Sequence, residues 1–175
     1  MEFYPDNSRK FLGQVSSFEP KLVYEGATML FYKNGKNAAL ISYVLGIPFG
    51  PAYFFYPNGH VKKELNYTSD GPVNLKENKQ FDNAKVTSYF DTAGKQLVVE
   101  GQGYAVITDE NDMLREEGNY SRGLKDSIWK GYYKEPRRIY EEVYKNGVLI
   151  SGIQTFPDGH QFNYSIIQEM PQYSG

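Results

Sequence analysis

The 175-residue chain contains no cysteine, which excludes disulfides, thiol nucleophiles and cysteine-ligated metals. It contains no apolar run approaching the roughly 18 residues of a membrane-spanning helix. Its first residues also lack the basic start and apolar stretch of a signal peptide. The formal net charge is only −2, which gives no electrostatic footprint for nucleic acid or an anionic membrane. We therefore expect neither a nucleic-acid partner nor direct membrane insertion of this segment.

Residues that commonly carry catalysis or bind metals are also scarce. His60 and His160 are the only histidines, and a metal would need carboxylate ligands whose placement nothing in the sequence specifies. No Gly-x-Ser-x-Gly nucleophile elbow occurs, and Gly101-Gln102-Gly103 lacks the third glycine of a dinucleotide-binding loop. We predict no catalytic residue, no metal and no cofactor, and we interpret both histidines as turn residues.

Aromatic rings are what the chain has in excess. Its 16 Tyr and 11 Phe bring the aromatic content to 16%, and this composition favours sheets over helices. A length of 175 residues suffices for one domain or two small ones. Rows of rings can stabilise a single-layer sheet, and they can also bind a partner chain or stack on sugars. We favour the structural use and keep the other two as alternatives.

A short turn motif recurs along the chain. It places an aromatic residue three positions before a glycine, usually with Asn or Asp just ahead of that glycine, as in typical hairpin turns. The copies are Tyr32–Gly35, Tyr56–Gly59, Tyr144–Gly147 and Phe156–Gly159, with looser copies at Phe90–Gly94 and Thr108–Asp112. Gly35 and Gly59 are 24 positions apart and Gly147 and Gly159 are 12 apart. One unit is therefore predicted to be two short strands with two turns.

The stretch EGNYSRGLKDSIWKGYY, residues 117–133, holds a full turn signal and the only tryptophan. Ser121-Arg122-Gly123 predicts a tight hairpin turn, because glycine adopts a positive φ at little steric cost. The aromatic and β-branched run that follows predicts a strand. Trp129 is expected to anchor the core, where a tryptophan buries roughly 150–250 Å².

Two features of the predicted strands concern charged side chains. Val61, Leu65 and Tyr67 share one parity, but Lys63 interrupts this apolar series. A glutamate also recurs after the turns, at positions 64, 100, 116 and 142. We interpret these glutamates as solvated or as cross-strand partners of lysines rather than as general acids or bases.

The motif Gly118-x-Tyr120-x-x-Gly123-x-Lys125-x-x-x-Trp129-x-x-Tyr132, with the two turn copies that follow it, resembles the MORN-like repeats of YwqK-type bacterial antitoxins. The resemblance is best over residues 86–164 and weaker over residues 32–67. It implies an elongated sheet of hairpins but specifies no activity, because such repeats occur beside many unrelated functions. The sequence departs from the repeat pattern at Ser127, where glycine is usual two positions before the tryptophan.

The last nine residues, Ile167 to Gly175, resemble the lead-in to the carboxy-terminal domain of TonB-like energy transducers of Bacteroidetes. Together with the repeats, this resemblance implies a periplasmic module whose energy-coupling domain lies downstream. We expect this module to be non-catalytic and to serve in protein interaction or as a spacer. The other hypotheses are a cytoplasmic antitoxin-like protein that binds a toxin, and a glycan-binding or glycan-processing protein that uses exposed aromatic rings. We expect a protein partner, and a glycan is the alternative ligand.

The sequence thus predicts an all-β protein, an elongated antiparallel sheet of repeated hairpins with little helix. It predicts N-terminal strands and first repeats over residues 1–68, an irregular insertion over 69–85, C-terminal repeats over 86–166 and a linker over 167–175. The predicted turn and core positions of the repeats are Tyr32, Gly35, Tyr56, Gly59, Gly94, Gly118, Tyr120, Gly123, Trp129, Tyr132, Tyr144, Gly147, Phe156 and Gly159.

Overall fold

The computed structural model describes residues 1–17, 23–68, 84–108, 114–133 and 138–165. Within these ranges the backbone forms fourteen strands and no helix, which confirms the predicted all-β fold. The strands are β1 (Glu2–Phe3), β2 (Arg9–Ser17), β3 (Val23–Phe31), β4 (Asn37–Val44), β5 (Ile47–Phe55), β6 (Val61–Tyr67), β7 (Ala84–Phe90), β8 (Gln96–Val98), β9 (Gly103–Thr108), β10 (Leu114–Ser121), β11 (Leu124–Tyr133), β12 (Arg138–Lys145), β13 (Val148–Thr155) and β14 (Gln161–Ser165). No described segment offers a helix long and apolar enough to cross a membrane.

The strands form two antiparallel sheets in which neighbours in the chain are neighbours in space. The first sheet has the order β1 to β8, and the second has the order β14 to β9. Within each sheet, every strand therefore pairs with the strand that follows it in the chain, as expected for a series of hairpins. The change from one sheet to the other occurs at the turn Val99–Gln102, whose end residues form an isolated bridge.

Turns of one design close one side of the first sheet. In each, the first residue donates its N–H to the carbonyl of the fifth, and the fourth donates to the carbonyl of the first. The fourth residue has a positive φ between 64° and 95°, which explains why glycine or asparagine stands there. These five-residue turns are Tyr4–Ser8, Tyr32–Lys36, Tyr56–His60 and Asp91–Lys95, and Phe156–His160 repeats the design in the second sheet. The predicted turn copies at residues 32–35, 56–59 and 156–159 are confirmed, and the looser copy at residues 90–94 forms a turn that begins at Asp91 rather than at Phe90.

Two-residue turns form a second set of connections. Leu45-Gly46, Glu100-Gly101, Arg122-Gly123 and Asn146-Gly147 each carry two successive positive φ values, as in type I′ turns. The predicted hairpin between β10 and β11 is therefore confirmed. The copy at residues 144–147 forms such a two-residue turn, because Lys145 is still paired with Val148 in the strands that flank it.

The hydrophobic core lies where the two sheets meet. Its buried members are Ala39, Ile41, Ala52, Leu65, Tyr67, Val86, Tyr89 and Val98 from the first sheet, with Ala105 and Trp129 from the second. Backbone hydrogen bonds fix the junction: Gly123 donates to the Gly101 carbonyl at 3.0 Å and accepts from Val86 at 2.9 Å. The β10–β11 hairpin is therefore anchored on strand β7 of the first sheet.

The observed strands place those parts of the predicted segments that lie within the described residues. Strand β7 pairs with β6 and strand β8 pairs with β7, so the first sheet extends from residue 2 to residue 98. Ala84 and Lys85, placed in the predicted insertion, begin β7, while residues 69–83 of that insertion lie outside the described residues. The predicted linker and all but the first residue of the looser copy Thr108–Asp112 also lie outside the described residues.

Candidate functional site

Trp129 is a buried core residue, as predicted. Its side chain is fully buried, and its indole N–H donates to the Asn119 carbonyl at 2.9 Å. The Tyr120 ring packs edge-on against the indole with the ring centres 5.0 Å apart. The Lys125 ammonium lies over the indole, 4.2 Å from the ring centre. Gly118 pairs with Trp129 across the β10–β11 ladder and leaves room for the ring. The predicted positions 118, 120 and 129 thus form one packed unit.

The pairing of a glycine with a ring recurs across the second sheet. Gly131 stands opposite Tyr140, and Gly152 stands opposite Tyr164. A Cβ added at Gly131 or Gly152 would come within 2.4 Å of the facing ring. Each ring covers the backbone of its glycine, an arrangement that stabilises glycine within strands. Sequence reasoning missed these two pairs, since only strand register reveals which glycine faces which ring.

Ser127 takes a backbone conformation that glycine would adopt freely. Its φ is 62°, and it lies in a bulge where Asp126 and Trp129 pair with the adjacent residues Asn119 and Gly118. Bulges of this kind favour glycine at the residue with positive φ. Ser127 is therefore a less suitable residue than glycine for this conformation.

Two of the recurring glutamates organise a polar cluster on the side of the second sheet that carries Trp129. Glu116 accepts from the Lys125 ammonium at 2.5 Å and from the Tyr140 hydroxyl at 3.0 Å. Glu142 is buried and accepts from the hydroxyls of Tyr144 at 2.8 Å and Tyr164 at 2.6 Å. Glu116 is a cross-strand partner of a lysine, as predicted. The expectation that the glutamates are solvated or paired with lysine is wrong for Glu142, because two phenols satisfy its carboxylate inside the protein.

Tyrosines at the head of the five-residue turns link one repeat to the next. The hydroxyl of Tyr4 donates to the Phe31 carbonyl at 2.9 Å, and that of Tyr32 donates to the Phe55 carbonyl at 2.7 Å. The hydroxyl of Tyr56 likewise donates to the Phe90 carbonyl, at 2.9 Å. Each accepting carbonyl precedes the first residue of the next turn, so the aromatic residue of the motif is a tie between successive turns.

The remaining predicted positions are mainly turn residues. Gly35, Gly59, Gly94 and Gly159 occupy the fourth place of the five-residue turns, and Gly123 and Gly147 occupy the second place of two-residue turns. Phe156 opens its turn and stacks on His160 with the ring centres 4.5 Å apart. Tyr132 is an exception, because it lies on the exposed side of β11 rather than in the core.

Both histidines take part in turns, as interpreted from the sequence. The backbone N–H of His60 donates to the Asn58 side chain, and that of His160 donates to the Asp158 side chain. In the described parts of the chain, no three His, Asp or Glu side chains come together in a group that could hold a metal ion.

A groove of about 660 Å³ opens between the first sheet and the hairpin turns of the second. Its aliphatic lining comes from Leu30, Ile41, Leu65, Val86 and Leu124. The rings of Tyr43, Phe54, Tyr67 and Tyr120 also line it. Volumes of this size are typical of small-molecule sites. The groove is therefore a concave candidate binding site in the described structure.

Lys63 and Lys125 are the charged side chains of this groove. Lys63 lies on the core-facing side of β6, with its ammonium 4.7 Å from the centre of the Phe54 ring. Burial, and then the charge of Lys62, lower the pKa of Lys63, while Glu116 raises it. The interruption that Lys63 makes in the apolar series of β6 was the sequence signal for this site.

A second surface lies on the opposite side of the second sheet, which we call the outer face. Its apolar members are between 37% and 60% exposed: Tyr104, Val106, Ile128, Tyr132, Ile139, Val143 and Ile153. Strand register places them together, since Ile128 pairs with Val143 and Tyr132 pairs with Ile139. The Lys130–Glu141 ion pair, at 3.1 Å, crosses the middle of this face.

No family model matches the chain, and no curated protein matches it significantly. The resemblance to MORN-like repeats and to the TonB lead-in therefore stays a prediction.

Proposed function

We propose that the chain is a non-catalytic interaction module of MORN-like hairpins, belonging to the periplasmic part of a TonB-like energy transducer, and that its outer face binds a protein partner. The observation that carries this proposal is the outer face itself. Soluble proteins rarely leave a contiguous apolar patch uncovered unless the patch binds something. Here the patch spans strands β9 to β13.

The composition of the outer face suits a protein rather than a small ligand. It is a broad sheet surface with β-branched and tyrosine side chains around one ion pair, and protein interfaces combine an apolar centre with a few polar contacts. Cross-strand pairing forms one row of residues through the middle of this face. In order from β9 to β14 the row consists of Val106, Glu117, Lys130, Glu141, Ile153 and Asn163. The polar groups in this row can fix the position and orientation of a bound partner, which an apolar patch alone does not do.

Site-specific photo-crosslinking in the parent organism tests the proposal. A photoreactive amino acid replaces Ile139, which is 60% exposed on the outer face, in the full protein expressed from its own gene. The matched control carries the same amino acid at Leu45, which is 74% exposed in a turn of the first sheet. We expect a crosslinked protein partner from position 139 only, and we expect Ile128→Lys together with Val143→Lys to abolish it.

The identity of the crosslinked partner separates the hypotheses. An envelope protein, together with recovery of the parent protein from the periplasm, supports the TonB-like module. A cytoplasmic toxin overturns that assignment in favour of the antitoxin-like alternative. A crosslink to a second copy of the chain, equal crosslinking from both positions, or no crosslink overturns the proposed partner surface.

A further inference from the structure

Lys63 places an ammonium group on the core-facing side of β6, a position that apolar side chains ordinarily occupy. Its neighbours along the pairing row are Phe54 on β5 and Tyr89 on β7, and Tyr89 is fully buried. Among the described residues no carboxylate forms an ion pair with Lys63, and its ammonium lies against the ring of Phe54. Removing an ammonium from water without a counter-ion costs free energy. A methionine of similar length would avoid this cost, so folding alone does not account for Lys63.

The opposite wall of the groove does not neutralise Lys63. The carboxylate of Glu116 acts electrostatically on Lys63, but it accepts a hydrogen bond from the Lys125 ammonium at 2.5 Å. Lys62, the other cation beside Lys63, directs its ammonium to the Thr108 carbonyl at 3.1 Å. Lys63, Lys125 and Glu116 together leave a net charge of about +1 at the groove. This charge complements a ligand that carries one negative group.

The apolar lining of the groove indicates what the rest of the ligand is, apart from its negative group. Leu30, Ile41, Leu65 and Val86 present aliphatic carbons, and Tyr43 and Tyr67 add rings. Hydroxyl groups of a neutral sugar would lose water against the aliphatic carbons without gaining partners, which is unfavourable. An apolar body gains free energy from the same contacts. The volume of about 660 Å³ accommodates a ring system or a medium alkyl chain.

We propose that the groove is a binding site for a small organic anion, an apolar body bearing one carboxylate, with the carboxylate held by Lys63. The apolar body lies on the aliphatic bed between the first sheet and the hairpin turns of the second. The ring of Phe54 supports the lysine from behind and keeps its ammonium at the groove. This site is separate from the outer face, so the two proposals stand or fail independently.

Isothermal titration calorimetry with a charged probe and its neutral twin tests the site. 2-Naphthoate carries the carboxylate, and 2-naphthamide has the same ring body without the charge. We expect 2-naphthoate to bind the wild-type chain at least ten-fold more tightly than 2-naphthamide. Lys63→Met should bring the two affinities within two-fold of each other, whereas Lys95→Met, which removes an exposed lysine of a turn, should leave the ratio unchanged.

The location of the probe is measured in the same samples. Chemical-shift changes on adding 2-naphthoate should concentrate at Leu65, Tyr67 and Leu124 and should be absent at Ile139 on the outer face. Equal affinity of the two probes for the wild type, absence of 2-naphthoate binding at millimolar concentration, or shifts confined to the outer face would overturn the proposal. The comparison of the two probes needs no variant, so it remains decisive even if Lys63→Met fails to fold.

Discussion

Gly118 lies directly beneath the indole of Trp129, and a Cβ added at Gly118 would come within 2.4 Å of the ring. The fully buried indole occupies this place because Gly118, its pairing partner on β10, has no side chain. The pair is therefore a single packing unit in which the glycine is as necessary as the ring.

Gly118→Ala should destabilise the protein by about 2–3 kcal/mol, because the added methyl must displace a ring that cannot move within a packed core. The measurement is urea unfolding followed by circular dichroism. Gly159→Ala is the matched control: nothing lies within 4 Å of its added Cβ, and only its positive φ of 86° opposes the change. We expect a loss of about 1 kcal/mol there. Equal losses in the two variants would contradict the ring–glycine interpretation.

The tyrosine ties between turns predict a modest, repeated contribution to stability. Tyr32→Phe and Tyr56→Phe each remove one hydroxyl donor and leave a backbone carbonyl without it. Each should lower the free energy of unfolding by about 1 kcal/mol. Tyr53→Phe removes a hydroxyl for which no partner is found in the described structure, so its unfolding free energy should stay within about 0.5 kcal/mol of the wild type. Wild-type stability in Tyr56→Phe would refute the role of the tie.

Ser127→Gly should stabilise the protein. The left-handed conformation costs a residue with a Cβ about 1–2 kcal/mol, and glycine avoids this cost. Glycine also raises the conformational entropy of the unfolded chain, which offsets part of the gain. We expect a net gain of about 0.5–1 kcal/mol in urea unfolding. Ser127→Ala keeps the Cβ and should give no gain. If alanine and glycine stabilise equally, the φ of 62° is not the cause.

Stability should fall steeply above pH 10. Burial raises the pKa of Tyr89 and Tyr120 well above the ordinary value of 10.0, and burial together with the Glu142 hydrogen bond does the same for Tyr144. Below pH 10 these phenols are neutral in both states, and their contribution to stability is fully present. Above pH 10 the unfolded chain loses protons that the folded chain keeps. Deprotonation therefore stabilises the unfolded state, and the free energy of unfolding falls as the pH rises.

Urea unfolding at pH 8, 9, 10 and 11 measures this alkaline loss, and absorbance at 295 nm counts the phenols that ionise only on unfolding. Tyr89, whose side chain is 1% exposed, should account for about 1.4 kcal/mol per pH unit above pH 10. Tyr89→Phe should reduce the slope accordingly. A slope that is the same in Tyr89→Phe and in the wild type would show that this phenol ionises normally.

Local chemistry determined much of this protein from the sequence alone. The aromatic-to-glycine turns, the Arg122-Gly123 hairpin and the all-β character were predictable, because they depend on which residues tolerate a positive φ and which suit a pleated strand. Trp129 was predictable as a core anchor because a large apolar ring gains most from burial.

Only the tertiary structure decided which distant residues meet. Strand register placed Gly131 under Tyr140 and brought the Tyr164 hydroxyl from β14 to the Glu142 carboxylate on β12. The junction of the two sheets placed Lys63, an interruption in the apolar series of β6, in the wall of a groove. These outcomes depend on strand register and on the contact between the two sheets, where packing and desolvation, rather than local backbone preference, select the arrangement of lowest free energy.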